Sequence, residues 1–82
     1  MMPRESTQTV EDAIRVLMAK IIGVPEVAPA DDFFGVGGTS LRAVKLTAAI
    51  CRQFGVPCTF RMIVDNPTPA GLARVVDGLS GA

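Results

Sequence analysis

The chain has 82 residues, 49% of them hydrophobic, with eight acids balancing eight bases. A chain this short is one domain with a thin core, burying about 60–65% of the surface its unfolded form exposes. Its hydrophobic content excludes disorder, and its neutral charge argues against nucleic acid as a partner. No apolar run approaches the roughly 18–20 residues that span a bilayer, and the N-terminus lacks an apolar signal core. No membrane partner is therefore expected, and the cytoplasm is the expected compartment.

Residues 1–8 read as a flexible tail, 9–79 as the folded domain and 80–82 as a C-terminal tail. Thr9 with Asp12 three residues on has capping-box spacing. Val10, Ala13, Ile14, Leu17 and Ile21 then recur at helical intervals. Gly23 and Pro25 end this first helix, over about 9–22. Residues 23–39 follow as a long loop, of a length that often marks function in small domains. Val27, Phe33, Phe34 and Val36 are its expected buried anchors, and Asp31 and Asp32 are expected to cap local backbone or to solvate the loop. A second helix is predicted from about Ser40 to Phe54, with Gly55 as C-cap and Pro57 reinforcing the stop. A short helix over Thr59 to Asp65 would turn Phe60 and Ile63 inward. Asn66-Pro67 breaks it. Thr68-Pro69 reads as an N-cap with proline at the first position of the last helix, whose inner face is Leu72, Val75, Val76 and Leu79. The fold class is all-α: a four-helix bundle of three main helices and one short one, with the long loop between helices one and two.

Histidine is absent, so no Ser-His pair can activate a serine nucleophile inside the chain. No catalytic residue and no metal site are assigned, since two cysteines with carboxylates make a poor ligand set for structural zinc. Cys51 and Cys58 are too few for a disulfide framework.

The most informative stretch is Asp31-Asp32-Phe33-Phe34-Gly35-Val36-Gly37-Gly38-Thr39-Ser40-Leu41. Gly35, Gly37 and Gly38 could serve a positive-φ turn, cradle a phosphate or clear space for a partner. The phosphate-loop pattern fails, because no lysine precedes Thr39 or Ser40. The dinucleotide pattern fails, because Ser40 stands at its third glycine. Either Ser40 is the N-cap of helix two, or Thr39 caps and Ser40 is displayed in the first turn. A helix N-terminus tolerates an anion at that place. On a wheel of about 100° per residue, Ala43, Leu46, Thr47, Ile50, Cys51 and Phe54 form the core face of helix two. Arg42, Lys45, Ala49, Arg52 and Gln53 lie opposite. Leu41 either docks a partner or packs under the Phe33-Phe34 loop.

Phe33 to Leu41 resembles the attachment signature of peptidyl carrier proteins of nonribosomal peptide synthesis, members of the acyl-carrier superfamily, with Val36 where leucine is usual. Asn66-Pro67-Thr68-Pro69-Ala70-Gly71-Leu72-Ala73 resembles the family's second motif, at the start of the last helix. The resemblance covers about residues 9–79. It implies an acyl-carrier-like bundle in which Ser40 receives 4'-phosphopantetheine from coenzyme A through a separate phosphopantetheinyl transferase. The arm's thiol would hold aminoacyl or peptidyl groups as thioesters. These would shuttle between an adenylation enzyme and condensation, tailoring or thioesterase enzymes. Such a chain is a monomeric carrier rather than an enzyme, and Leu41, Val44, Lys45, Met62 and Ile63 are its expected docking residues. Thr39-Ser40-Leu41 and a basic second helix lean away from fatty-acid carriers, which show D-S-L and an acidic helix there. Starting at methionine and ending just past the last helix fits a free-standing carrier and an excised domain equally. The alternatives are a polyketide carrier, a helical interaction module in which Ser40 is only a cap, and a small helical DNA-binding domain.

Overall fold

The computed structural model describes residues 9–80, so the tail expected at 1–8 and residues 81–82 lie outside the described residues. Four helices follow in order: α1 (Val10–Ile22), α2 (Ser40–Phe54), α3 (Phe60–Asp65) and α4 (Pro69–Ser80). All are α-helical, as expected. α4 runs one residue past the predicted end, within the usual variation of helix boundaries.

The helix starts share one device. Threonine hydroxyls accept the N–H three residues on: Thr9 from Asp12 at 3.1 Å, Thr39 from Arg42 at 3.2 Å, Thr59 from Met62 at 3.3 Å and Thr68 from Gly71 at 3.1 Å. Each satisfies one of the orphan donors of a first turn. At α1 the Asp12 carboxylate turns to Arg15, at 3.3 Å. α1 and α2 close on Gly23 and Gly55, whose N–H groups donate to Ala19 O and Cys51 O.

α1 packs on α4 and α2, and α3 bridges α2 and α4. Ile14 and Met18 from α1, Leu46 and Ile50 from α2, Ile63 from α3 and Leu72 and Val76 from α4 are fully buried together with Phe33 from the loop. Phe33 makes the loop part of the core. Three bonds fasten it further: Phe33 N–H donates to Pro67 O at 2.8 Å, Ala70 N–H to Pro29 O at 3.1 Å, and Arg15 Nε to Val27 O at 2.7 Å.

Two residues expected to face inward differ. Val27 and Phe33 are buried, but Val36 is 36% exposed at the tip of the turn, where Phe33 takes the inward position and Phe34 packs edge-on against it with ring centroids 5.4 Å apart. Phe60, expected inward, is 39% exposed. Fully buried Ile63 and half-buried Met62 bracket the inward direction of α3. Phe60 then points roughly 110° away from it, beside Val64.

Cys51 and Cys58 are free thiols, and Cys51 Sγ donates to Cys58 O at 3.2 Å. Burial, and then the neighbouring Cys51, push the Cys58 thiol above its ordinary range, so it stays protonated near neutrality.

Candidate functional site

The turn before α2 is built from its acids and glycines. Asp32 Oδ1 accepts from Phe34 N–H at 2.9 Å and Gly35 N–H at 3.1 Å, and Asp31 Oδ2 accepts from Ala28 N–H at 2.9 Å. Both carboxylates are therefore spent on local backbone, one of the two roles expected of them. Gly37 has φ +120°, a conformation L side chains rarely adopt. Gly38 is buried, and a Cβ there would stand 2.3 Å from the Phe33 ring and 2.6 Å from Phe33 O. The Gly38 N–H donates to that oxygen at 2.7 Å. Positive φ at Gly37 and close approach at Gly38 thus account for two of the glycines. Gly35 meets only ordinary contact with Asp32 at 3.4 Å.

This turn settles which hydroxyl caps the helix. Thr39 has extended backbone (φ −101°, ψ 172°) and takes the cap, and Ser40 becomes the first helical residue. Ser40 is exposed, and its hydroxyl has no partner among the described residues. Replacing Thr39 with alanine removes the cap bond and is expected to lower stability by about 1 kcal/mol in a urea melt. Loss of no more than a few tenths would show the bond to be idle.

The surroundings of Ser40 suit an anionic ester. No acid lies in the first turn of α2. The N–H groups of Ser40 and Leu41 have no acceptor among the described residues, and such first-turn donors favour negative charge. The Arg42 guanidinium donates to Gly37 O at 3.0 Å, tying the helix start to the turn. A phosphodiester on Ser40 Oγ would meet open space, unpaired donors and no repelling carboxylate in that turn.

The predicted docking residues are divided by burial. Leu41 is 67% exposed and does not pack under the Phe33-Phe34 loop, while Val44 is 53% exposed and Lys45 is exposed beside them. Met62 is half-buried against the core and Ile63 is fully buried, so Ile63 offers a partner no surface in this fold. α3 instead presents Phe60 and Val64, which the sequence reasoning passed over as a contact pair. The signal was available in their i, i+4 spacing. Nothing local in the sequence pointed to the Phe33–Pro67 bond, through which the second motif holds the loop that carries the first.

A family model described as the phosphopantetheine attachment site matches residues 12–76. The chain belongs to that family. Its group is 4'-phosphopantetheine, and the geometry around Ser40 fits it. This attachment domain is 39% identical over 64 residues to the nonribosomal peptide synthetase asaC of Aspergillus flavus, covering 78% of the chain and 6% of that relative. It is 40% identical over 75 residues to the chondramide synthase cmdD of Chondromyces crocatus, covering 92% of the chain and 2% of the relative. The chain thus spans only a small fraction of these curated relatives. Among solved structures it is similar to one of the phosphopantetheine transferase Sfp in complex with coenzyme A and a peptidyl carrier protein. That match has a TM-score of 0.83 at 28% identity and covers 88% of this chain and 94% of the matched one. No helix among the described residues is long and apolar enough to cross a membrane.

Proposed function

We propose that this chain is a peptidyl carrier domain of nonribosomal peptide synthesis, modified on Ser40. The observation that carries the reading is the division of labour between two neighbours: Thr39 caps α2, which leaves the Ser40 hydroxyl exposed and unengaged. A phosphopantetheinyl transferase would bring coenzyme A to it. Ser40 Oγ would attack the β-phosphorus of the coenzyme A diphosphate and form a phosphodiester. Adenosine 3',5'-bisphosphate would leave, and a base of the transferase would take the hydroxyl proton, because the chain has no histidine of its own to do so.

When bound, the group supplies a thiol that holds aminoacyl or peptidyl cargo as a thioester. The residues of this chain do the remaining work. The glycine turn fixes Ser40 at the rim of the bundle, Leu41 and Val44 give an adenylation, condensation, tailoring or thioesterase enzyme an apolar contact, and the buried core keeps the domain rigid as it changes partners. Such contacts should be small and transient, and the domain acts as a monomer. It serves as substrate and carrier while its partners do the chemistry. The nonribosomal peptide synthetase name of the asaC relative supports a peptidyl cargo over a polyketide one. The cytoplasm, where coenzyme A is made and used, is the compartment consistent with this chemistry.

The test is incubation of the purified chain with coenzyme A, magnesium and a permissive transferase, followed by intact mass and peptide mapping. A gain of one phosphopantetheine on the Ser40 peptide is expected. A folded, initially unmodified protein that gains nothing would leave an interaction module as the better reading.

A further inference from the structure

The neutrality of the whole chain hides an uneven distribution of charge. α2 carries Arg42, Lys45 and Arg52 and no acid. None of the three is in an ion pair among the described residues, where the pairs are Arg15–Asp12 and Arg61–Asp65. Leu41, Val44, Lys45, Ala48 and Arg52 are all exposed. Steps of three and four residues link them into one stripe along the helix, which begins beside Ser40 and reaches Arg52 about 18 Å further along the axis. The stripe is apolar next to Ser40 and basic beyond it. On α3, which packs against α2, exposed Phe60 and Val64 add apolar surface, and Arg61 is already neutralised by Asp65 at 3.1 Å.

From this arrangement we infer that the transferase modifying Ser40 meets α2 with an apolar contact next to Ser40 and carboxylates beyond it, and that Lys45 and Arg52 draw it in. The inference rests on Ser40 being the attachment site. An enzyme that reaches Ser40 Oγ along α2 lies over exposed Leu41 and Val44, and the next side chains it meets are basic ones with no acid of their own chain beside them on α2. Exposed charges at the edge of a contact mainly set the association rate and its dependence on salt. The apolar end next to Ser40 distinguishes the face from a polyanion site, which would need bases rather than Leu41 and Val44 there.

The test measures kcat/KM for modification of the apo chain by a permissive transferase with coenzyme A and magnesium. Salt is raised from about 20 to about 500 mM, which shortens the screening length from roughly 20 Å to roughly 4 Å. The native chain is expected to lose at least about fivefold in kcat/KM over that range. At low salt, Lys45→Glu and Arg52→Glu should each lower it by about three- to tenfold and flatten the salt response, with Lys45→Gln between them and the native chain. Arg74→Glu makes the same charge change beside Thr9 to Asp12, at the start of α1, whereas the glycine turn meets Ile22 at the other end of α1. It should stay within about twofold of native. Circular dichroism melts of each variant guard against misfolding, and Lys45→Gln serves if a glutamate variant fails to fold. A salt-insensitive rate, or an Arg74→Glu loss equal to that of Lys45→Glu, overturns the inference. No mass gain on any chain would instead refute Ser40 as the attachment site, so the two failures are distinguishable.

Discussion

Ser40→Ala will gain no phosphopantetheine under conditions that modify the native chain fully, and it will melt within about 0.5 kcal/mol of native. Both halves follow from the position of Ser40 as the first helical residue. If Ser40 were the cap, its loss would cost about 0.5–2 kcal/mol, but the cap bond to Arg42 N–H comes from Thr39 Oγ1. Removing an exposed, unengaged hydroxyl leaves every described hydrogen bond in place, and alanine is a good residue in a helix. Thr39→Ala should do the reverse, losing stability while still accepting the group. The pair of variants separates attachment from capping. Intact mass reads the first effect and a urea melt the second. A Ser40→Ala chain that still gains one phosphopantetheine would move the attachment elsewhere, and one that loses more than about 1 kcal/mol would make Ser40 part of the helix start.

The four helices were legible because their punctuation is strong. Threonines followed by helical periodicity, Gly23 and Gly55 at the ends, and Asn66-Pro67 as a break all carry their structural meaning locally. The choice between Thr39 and Ser40 as cap was not, because adjacent hydroxyl residues suit an N-cap almost equally. It is decided by how deeply Gly38 is drawn against Phe33, a contact between a loop backbone and an aromatic ring. Phe60 and Ile63 were ranked alike by hydrophobicity. A six-residue helix has room for one inward direction, and tertiary packing gives it to Ile63 with Met62. The bond from Phe33 N–H to Pro67 O joins backbone to backbone between residues far apart in the chain and leaves no mark on residue choice. For the proposed site, Ser40 stands out in the sequence, whereas its presentation as the first helical residue does not. On α2, Leu41, Val44 and Lys45 are exposed, as a docking role requires. On α3 the outer face is Phe60 with Val64, and its only mark in the sequence is their i, i+4 spacing within a six-residue helix.

The glycine turn makes the largest stability prediction. Gly38→Ala should cost about 3 kcal/mol, the upper end of what overpacking a core usually costs, and lower Tm by roughly 12–24 °C in a domain of this size. The added Cβ would stand 2.3 and 2.4 Å from two atoms of the Phe33 ring and 2.6 Å from Phe33 O. The ring is fully buried, so it cannot swing into solvent. The oxygen cannot retreat without losing the 2.7 Å bond from Gly38 N–H, and Phe33 is itself tied to Pro67 at 2.8 Å. Relief therefore requires the whole turn to lift, which would shift the start of α2, Ser40 included, relative to the bundle and slow modification together with the loss of stability. Gly35→Ala is the internal contrast: its Cβ would make contacts at 3.4 Å with Asp32, and its backbone lies outside the positive-φ region. It should change stability by no more than about 0.5–1 kcal/mol in either direction. Adding Phe33→Leu to Gly38→Ala removes the two clashing ring atoms but not the clash with the carbonyl oxygen, so the pair should be less destabilised than the two single losses summed. Thermal and urea melts of the four chains check this. A Gly38→Ala chain as stable as Gly35→Ala would mean that the turn yields easily and that close approach at Gly38 is not what fixes Ser40 in place.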